Sequence, residues 1–151
     1  MTTSTAYQVT DLARSHRAVV EAGRSDAGAL IRDKDGVLLL LQRAEDAEKQ
    51  ERLVGLLIAY AEASLQLELP VGERSPLAYR SLAWIVRLDD DDQREMLSEL
   101  LDAVAIAAAG GSVRGVDDLL IDWKATAEVA ADPALASELS EDIPEPLGSP
   151  L

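Results

Sequence analysis

The chain has 151 residues, of which 28 are acidic and 14 basic, for a formal net charge of −14. It has no Cys, and His16 is its one His, so disulfides, zinc–thiolate centres and sites built on two imidazoles are excluded. A chain this acidic is a poor general binder of nucleic acid, so any contact with DNA has to be local.

A short strand and a helix are predicted at the start of the chain. Residues 7–9 favour one short strand. Thr10 or Asp11 can cap a helix that runs to about Ala22. Gly23 follows directly, and we expect it to end that helix as a C-cap glycine.

A β-hairpin is predicted next. Residues 27–32 and 37–41 are typical of strands, and residues 33–36 (Asp-Lys-Asp-Gly) form the turn, in which Gly36 takes a positive φ. The second strand reads Val-Leu-Leu-Leu-Leu, which is apolar on both faces. A sheet this small cannot cover both faces alone, so we expect a helix on one face and a partner chain on the other.

From residue 44 onward the pattern predicts helices only. The first covers residues 44–65 and is charged before it becomes apolar at Leu53. Ser75 and Pro76 suit the N-cap and the first position of a second helix, which runs to about Leu88.

Three further helices complete the predicted order. Asp92 has the capping-box spacing for a helix that stops at Gly110-Gly111, and its apolar face is Leu97, Leu100, Leu101, Val104 and Ala108. An amphipathic helix follows over residues 116–131. Asp132 and Pro133 start a short last helix to about Leu139.

Strand–helix–strand–strand followed by helices predicts an α+β fold with two parts and a tail. Residues 1–52 form a small strand–helix–hairpin dimerisation unit, residues 53–140 form an all-helical region, and residues 141–151 form a flexible tail rich in acid and Pro. Residues 1–52 carry a net charge of −1 (eight basic, nine acidic), and residues 53–151 carry −13 (six basic, nineteen acidic). The acid of the helical region indicates either a basic partner or a solubilising surface.

No targeting or membrane segment is expected. No apolar run approaches the ~18 residues of a membrane span, and Met1–Thr5 is polar, without the basic start of a signal peptide. We expect a cytoplasmic protein with no membrane partner and no cofactor.

Two segments resemble the prevent-host-death (Phd/YefM) family of antitoxins. Residues 7–14 (Tyr-Gln-Val-Thr-Asp-Leu-Ala-Arg), continued by Gly23 and the hairpin, are similar to the family's strand, "L-A-R" helix and hairpin. Residues 123–128 (Trp-Lys-Ala-Thr-Ala-Glu) with 131–135 (Ala-Asp-Pro-Ala-Leu) are similar to the tail of long members from high-GC bacteria. The region from Ser81 to Leu101 fits those members more loosely.

The resemblance implies a function for each half. The N-terminal unit would form a homodimer and bind operator DNA, and the C-terminal region would bind and neutralise a toxin that is RelE-like or Doc-like. The resemblance thus implies a type II antitoxin that represses its own operon. The alternative is a stand-alone DNA-binding transcriptional regulator without a toxin partner.

An enzyme is not expected. His16 has no nucleophile or acid in register, and a packed or DNA-facing role suits it better than catalysis. Four consecutive aspartates, Asp89–Asp92, point in different directions around a helix start, so they suit the helix dipole better than a metal ion. We therefore expect no catalytic residue and no metal ligand.

Four basic residues are the candidate DNA contacts. Arg14 occupies the arginine of the family's "L-A-R" motif, so the resemblance implies that it approaches phosphate or a groove edge. Arg17, Arg32 and Lys34 are expected to join it if the dimer places them on one surface. Asp33 and Asp35 flank Lys34, and this acid weakens binding to phosphate.

The candidate toxin contacts lie on the helix over residues 116–131. They are one apolar face and a neighbouring acid: Leu119, Leu120, Trp123, Ala127 and Glu128. The pattern leaves two readings of Trp123 open, since an interface anchor and a core residue need the same position. Trp84 is expected in the core.

Overall fold

The computed structural model describes residues 5–141 of the chain. The predicted tail, apart from Glu141, lies outside the described residues. A small three-stranded sheet near the N-terminus precedes a mostly helical remainder, which confirms the predicted α+β class. The chain divides into two compact units, residues 1–52 and 53–151.

The first unit contains three strands and two short helices. They are β1 (Thr5–Gln8), α1 (Val9–Arg14), α2 (His16–Arg24), β2 (Ala29–Arg32) and β3 (Leu38–Leu41). The sheet order is β1-β2-β3. β2 and β3 pair antiparallel, which confirms the predicted hairpin, and Gly36 in its turn has a φ of 83°. β1 pairs parallel to β2.

The prediction of one helix from Thr10 to Ala22 is wrong, because the helix breaks at Ser15. Ser15 has a φ of −137° and a ψ of 40°, outside the helical region. Its N–H closes α1 by donating to the carbonyl of Asp11, and its carbonyl accepts from Ala18 and Val19 at the start of α2. The chain therefore changes direction at Ser15, between two short helices.

Gly23 is not a C-cap, because it lies inside α2 and is buried. The helix continues to Arg24 and is closed by Ser25, whose N–H donates to the carbonyl of Ala22. A Cβ at Gly23 would stand 2.8 Å from Cγ of Leu41. The glycine is therefore needed for the close approach of α2 and β3.

The register separates two faces of the sheet. Ile31 lies opposite Leu39 and Ala29 opposite Leu41, and residues opposite one another in a ladder share a face. α2 covers the β2 part of this face, burying Val19 together with Ala29 and Ile31, while Leu39 on β3 is 50% exposed. The other side, which we call the open sheet face, consists of Ala6, Gln8, Leu30, Arg32, Leu38 and Leu40.

The second unit is helical. Its elements are α3 (Ala44–Leu67, which starts in the first unit), a 3₁₀ turn (Val71–Glu73), a 3₁₀ segment (Pro76–Arg87), α4 (Asp90–Ala108), α5 (Arg114–Ala131) and α6 (Pro133–Glu141). Tyr79, Leu82 and Ile85 of the 3₁₀ segment, together with Met96 and Leu100 of α4, are almost fully buried. One apolar core therefore joins α3, the 3₁₀ segment, α4 and α5.

The helix expected from Ser75 to Leu88 is instead a kinked 3₁₀ segment. Pro76 occupies the first turn as predicted, but Arg80 has a φ of 49°, so the backbone leaves the helical region there. The Arg80 guanidinium donates to both carboxylate oxygens of Glu62, at 2.8 and 2.9 Å. This bidentate pair holds the side chain beside the kink.

α4 begins earlier than predicted, with Asp89 rather than Asp92 as its cap. The Asp89 carboxylate accepts from the N–H of Asp92 at 2.9 Å. The buried face is also rotated, because Met96 and Ala107 are buried while Leu101 and Ala108 are exposed. The cap predicted for the last helix is confirmed: the Asp132 carboxylate accepts from the N–H groups of Ala134 and Leu135.

Candidate functional surfaces

The first pair of candidate DNA contacts lies at the junction of α1 and α2. Arg14 ends α1, and Arg17 stands in the first turn of α2, on either side of the break at Ser15. Both side chains are exposed. His16 between them is also exposed, which corrects the packed alternative. Two guanidinium groups and an imidazole therefore lie within four consecutive residues around the break.

The second pair lies at the turn of the hairpin. Arg32 ends β2, Lys34 lies in the turn, and both are exposed. Gln8 pairs with Arg32 in the sheet, so α1, which follows Gln8, starts at the same end of the sheet as the turn. α1 is about 9 Å long, and Arg14 stands at its far end. The helix that leads to the first pair therefore begins at the end of the sheet that carries the second pair.

The carboxylate of Asp33 stabilises the hairpin turn. Its Oδ1 accepts from the N–H groups of Asp35 and Val37, both at 2.8 Å. This is an Asx-type turn, in which a short acidic side chain replaces a backbone acceptor. Asp35 has no such role in the turn and is exposed.

The candidate cations differ from other arginines of the first unit in their ion pairing. Arg24 pairs with Glu21, and Arg43 pairs with Asp26, Glu45 and Asp46. No salt bridge between described residues involves Arg14, Arg17, Arg32 or Lys34. Their charges are therefore available to an anionic partner.

The open sheet face is apolar apart from Gln8 and Arg32 at its turn end, and no described residue covers its leucines. Leu38 and Leu40 are 51% and 54% exposed, although they lie in a regular strand beside the half-buried Leu30. β3 is also an edge strand, with β2 as its neighbour on one side. Exposed apolar edge strands are templates for pairing with another chain.

The predicted toxin contacts pack largely within the second unit. Ala127 is buried, and Leu119, Leu120 and Trp123 are partly buried against the core. The indole N–H of Trp123 donates to the Glu99 carboxylate of α4 at 2.7 Å. Glu128 is exposed. Their contact with a toxin stays a prediction.

Trp84 packs against the core, as expected, and is partly buried. Its indole N–H is buried without a hydrogen-bond partner among the described residues. The ammonium group of Lys124 on α5 lies 5.9 Å from the centre of its ring, within the range of a cation–π contact. The ring therefore links the 3₁₀ segment to α5.

The aspartates at the start of α4 have separate structural partners. Asp89 caps the helix, and Asp90 accepts two hydrogen bonds from the guanidinium of Arg74, at 2.7 and 2.8 Å. Arg74 also donates to the carbonyls of Leu67 and Leu69. Within residues 5–141 no group of three or more His, Cys, Asp or Glu side chains is arranged to hold a metal ion.

This pair makes the second unit sensitive to acid. The hydrogen bonds from Arg74, with the Coulomb attraction of that group, hold the pKa of Asp90 below its ordinary value near 3.8. A carboxylate whose folded pKa is depressed stabilises the fold above the unfolded pKa, and the effect is lost as the pH falls through the folded pKa. The contribution of Asp90 is therefore complete at pH 7 and declines below about pH 4.

We expect Asp90→Asn to lower the midpoint of urea unfolding at pH 7 and to have a smaller effect at pH 3. Trp fluorescence is a suitable signal because Trp84 and Trp123 both lie in the second unit. The control is Asp91→Asn, whose carboxylate is almost fully exposed and 3.5 Å from Arg94. An equal effect of Asp90→Asn at both pH values would contradict the role of the pair.

One surface was not predicted. Val54, Ile58 and Leu65 on α3 are 55%, 45% and 67% exposed, while Leu53, Leu56 and other residues on the opposite side of the helix are buried. We call the exposed residues Val54, Ile58, Ala61 and Leu65 the outer α3 stripe. The signal was present in the sequence, because residues 53–60 are apolar around the whole helix apart from Gly55.

The comparisons with known proteins add no relative: no protein-family model, curated protein or solved structure matches the chain. Among the described helices, none combines the length and hydropathy needed to cross a bilayer.

Proposed function

We propose that the protein is the antitoxin of a type II toxin–antitoxin system. In this proposal the first unit is Phd/YefM-like, forms a homodimer and binds operator DNA, and the second unit binds a RelE-like or Doc-like toxin in the cytoplasm. The resemblance of residues 7–41 and 123–135 to the family supports it. The observation that carries it is an open, largely apolar sheet face in the same small unit as four cations that form no salt bridge with another described residue.

The dimer is supported by the open sheet face. Two copies that join these faces would remove Leu38 and Leu40 from water, and burial of a Leu side chain contributes about 1.5–3 kcal/mol. A homodimer also doubles the number of available cations. Two weak phosphate-binding clusters on one particle can then contact DNA together.

The proposal that the second unit binds a toxin is supported by the charge of that unit. The second unit carries six basic and nineteen acidic residues, and four of its arginines are already paired with Asp or Glu within the unit. The remaining acid attracts a basic protein and accelerates its association.

One observation favours the alternative, a stand-alone regulator. The apolar side chains of α5 that a toxin would contact are packed against the core of the second unit. In that case the second unit serves the protein's own fold, and operator binding is the whole function.

The test is to co-express the protein with the product of the adjacent gene and to measure growth, together with binding to its own promoter. Rescue of growth with promoter binding supports the antitoxin. Promoter binding without rescue supports the regulator, and the absence of both contradicts the two proposals.

Trp123→Ala tests the place of α5 in neutralisation. As an interface anchor, Trp123 would contribute on the order of 2 kcal/mol, so its loss would weaken toxin binding about 30-fold without unfolding the chain. Trp123→Phe is the control, since it keeps an aromatic ring but removes the indole N–H that donates to Glu99. If Trp123→Ala lowers the urea midpoint and leaves toxin affinity unchanged, the residue belongs to the core.

Arg14→Ala tests the DNA surface. Each lost phosphate contact reduces the slope of log K against log salt by about 0.9, so we expect weaker promoter binding with a shallower slope, measured by fluorescence anisotropy. Arg24→Ala is the matched control, because Arg24 is exposed in the same unit but pairs with Glu21. Equal slopes for wild type and Arg14→Ala would remove Arg14 from the interface.

A further inference from the structure

α3 is apolar on two opposite sides over residues 53–67. The side formed by Leu53, Leu56, Ala59, Ala63 and Leu67 is buried in the core of the second unit. With 3.6 residues per turn, the outer α3 stripe falls on the other side. A surface helix normally has one apolar face, and a helix that is apolar all round is normally buried. The stripe therefore lacks a partner among residues 5–141.

Gly55 is a second, independent observation on α3. It lies three residues before Ile58, at the edge of the stripe, and a Cβ added there would meet nothing within 4 Å. Gly in a helix interior is less favourable than Ala, and nothing in the described chain needs it. Its missing side chain leaves room for a second backbone to approach the stripe closely.

The charges beside the stripe are acidic. Glu51 and Glu62 flank Ile58 at spacings that place them on the same side of the helix, and Glu68 follows at its end. Glu62 is engaged by Arg80 at 2.8 Å, whereas Glu51 and Glu68 are exposed. A second copy of α3 would bring like charges together in either orientation, so charge disfavours self-pairing.

We infer that the outer α3 stripe is the docking site for a basic amphipathic helix of another protein. Such a helix lays its apolar side on Val54, Ile58 and Leu65, with Lys or Arg beside Glu51 and Glu68, in the helix-on-groove mode of peptide recognition. The stripe spans about 18 Å, or 12 residues. This inference rests on the proposed function in one respect, since the toxin is the partner that would supply the helix.

The experiment uses the full chain and a synthetic 18-residue peptide with a Leu stripe flanked by Lys and Arg. Binding is followed by fluorescence anisotropy at two salt concentrations. A matched peptide carries Glu in place of each Lys and Arg. We expect the basic peptide to bind with a Kd on the order of 10 µM, more weakly at high salt, and the acidic peptide not to bind.

Three variants of the chain test the position of the site. Ile58→Gln combined with Leu65→Gln should weaken binding at least about tenfold, and Glu51→Gln should weaken it mainly at low salt. The control combines Ile106→Gln with Ile121→Gln, two apolar residues of other helices that are 67% and 64% exposed. This control should bind like wild type.

Gly55→Ala separates docking from helix stability. The substitution favours the helix, so a purely structural role predicts unchanged or tighter binding. Docking with close approach predicts weaker binding, by about fivefold, because the new methyl group holds the peptide away. Unchanged or tighter binding overturns the docked geometry.

The other outcomes are equally decisive. Absence of peptide binding at 200 µM (roughly twenty times the expected Kd), or equal losses in the control variant, overturns the inference. A lower mass of Ile58→Gln/Leu65→Gln in sedimentation shows that a second copy covers the stripe. Growth rescue that is insensitive to this variant overturns the inference and keeps the antitoxin function. Peptide docking without any growth rescue keeps the inference and overturns the antitoxin function.

Discussion

Leu40→Asp is expected to convert the proposed dimer to a monomer while the first unit stays folded. Leu40 lies on the open sheet face and is 54% exposed in the single chain, so an aspartate there remains hydrated in the monomer. In the dimer it would bury a charge and remove apolar contact at the joined faces. We expect a loss of at least about 3 kcal/mol in association free energy, more than a hundredfold in Kd.

Sedimentation velocity over a range of concentrations measures this effect, and hydrogen exchange of the strand amides reports the fold. Leu39→Asp is the matched comparison on the same strand. Leu39 points to the opposite face of β3 and is 50% exposed, so an aspartate there also stays hydrated and should leave a dimer through the open sheet face intact. A wild-type mass for Leu40→Asp would contradict a dimer through the open sheet face.

Gly28→Ala should destabilise the first unit by about 3 kcal/mol. Gly28 has a φ of 67°, where an L side chain is strained. A Cβ there would also stand 2.8 Å from the carbonyl oxygen of Leu41, which belongs to the backbone of β3 and cannot swing away. Strain and collision therefore add.

Gly36→Ala is the control for Gly28→Ala, because it shares the positive φ without the collision. Gly36 has a φ of 83°, and nothing lies within 4 Å of its added Cβ, so we expect a cost of about 1 kcal/mol. Exchange of the β2 and β3 amides, measured by mass spectrometry, reports both variants. Trp fluorescence should not change, since both tryptophans lie in the second unit. Equal effects of the two variants would show that the approach to Leu41 carries no cost.

Local chemistry made part of the fold predictable. The hairpin, the positive φ of Gly36 and the Asp132 cap each depend on a few adjacent residues, and all three are confirmed. The failures involve residues distant in sequence. Gly23 was predicted to end the helix. It lies inside α2, and the position needs a glycine because Leu41, eighteen residues later, packs against it. The parallel pairing of β1 with β2 was not visible in the composition of either strand.

The prediction of a regular helix over residues 75–88 was wrong for a similar reason. Ser75 and Pro76 are a sound helix start, yet Arg80 turns to a positive φ beside its ion pair with Glu62 of α3. Tertiary context here overrides local helix propensity, since Tyr79, Leu82 and Ile85 around the kink are buried in the core. No pattern within residues 75–88 indicates these contacts.

The candidate surfaces were predictable to different degrees. Charged side chains are almost always on the surface, so the exposure of Arg14 and Arg17 was predictable from the residue type. The face of α5 was ambiguous, since a core face and a docking face have the same apolar spacing, and the structure packs it on the core. The outer α3 stripe was not predicted, because a continuous apolar run is compatible both with a helix that has one buried face and with a helix that has two.

If the protein binds operator DNA as proposed, the hydrogen bonds of Asp33 restrict how its affinity for DNA can change. A cation at position 33 would remove the acceptor that holds the N–H groups of Asp35 and Val37, so it would add charge and loosen the hairpin at once. Asp35 carries no such role, and its replacement by Lys alters the local charge by two units without touching the turn. Variation in operator affinity among descendants of this chain is therefore expected at position 35, while position 33 stays acidic.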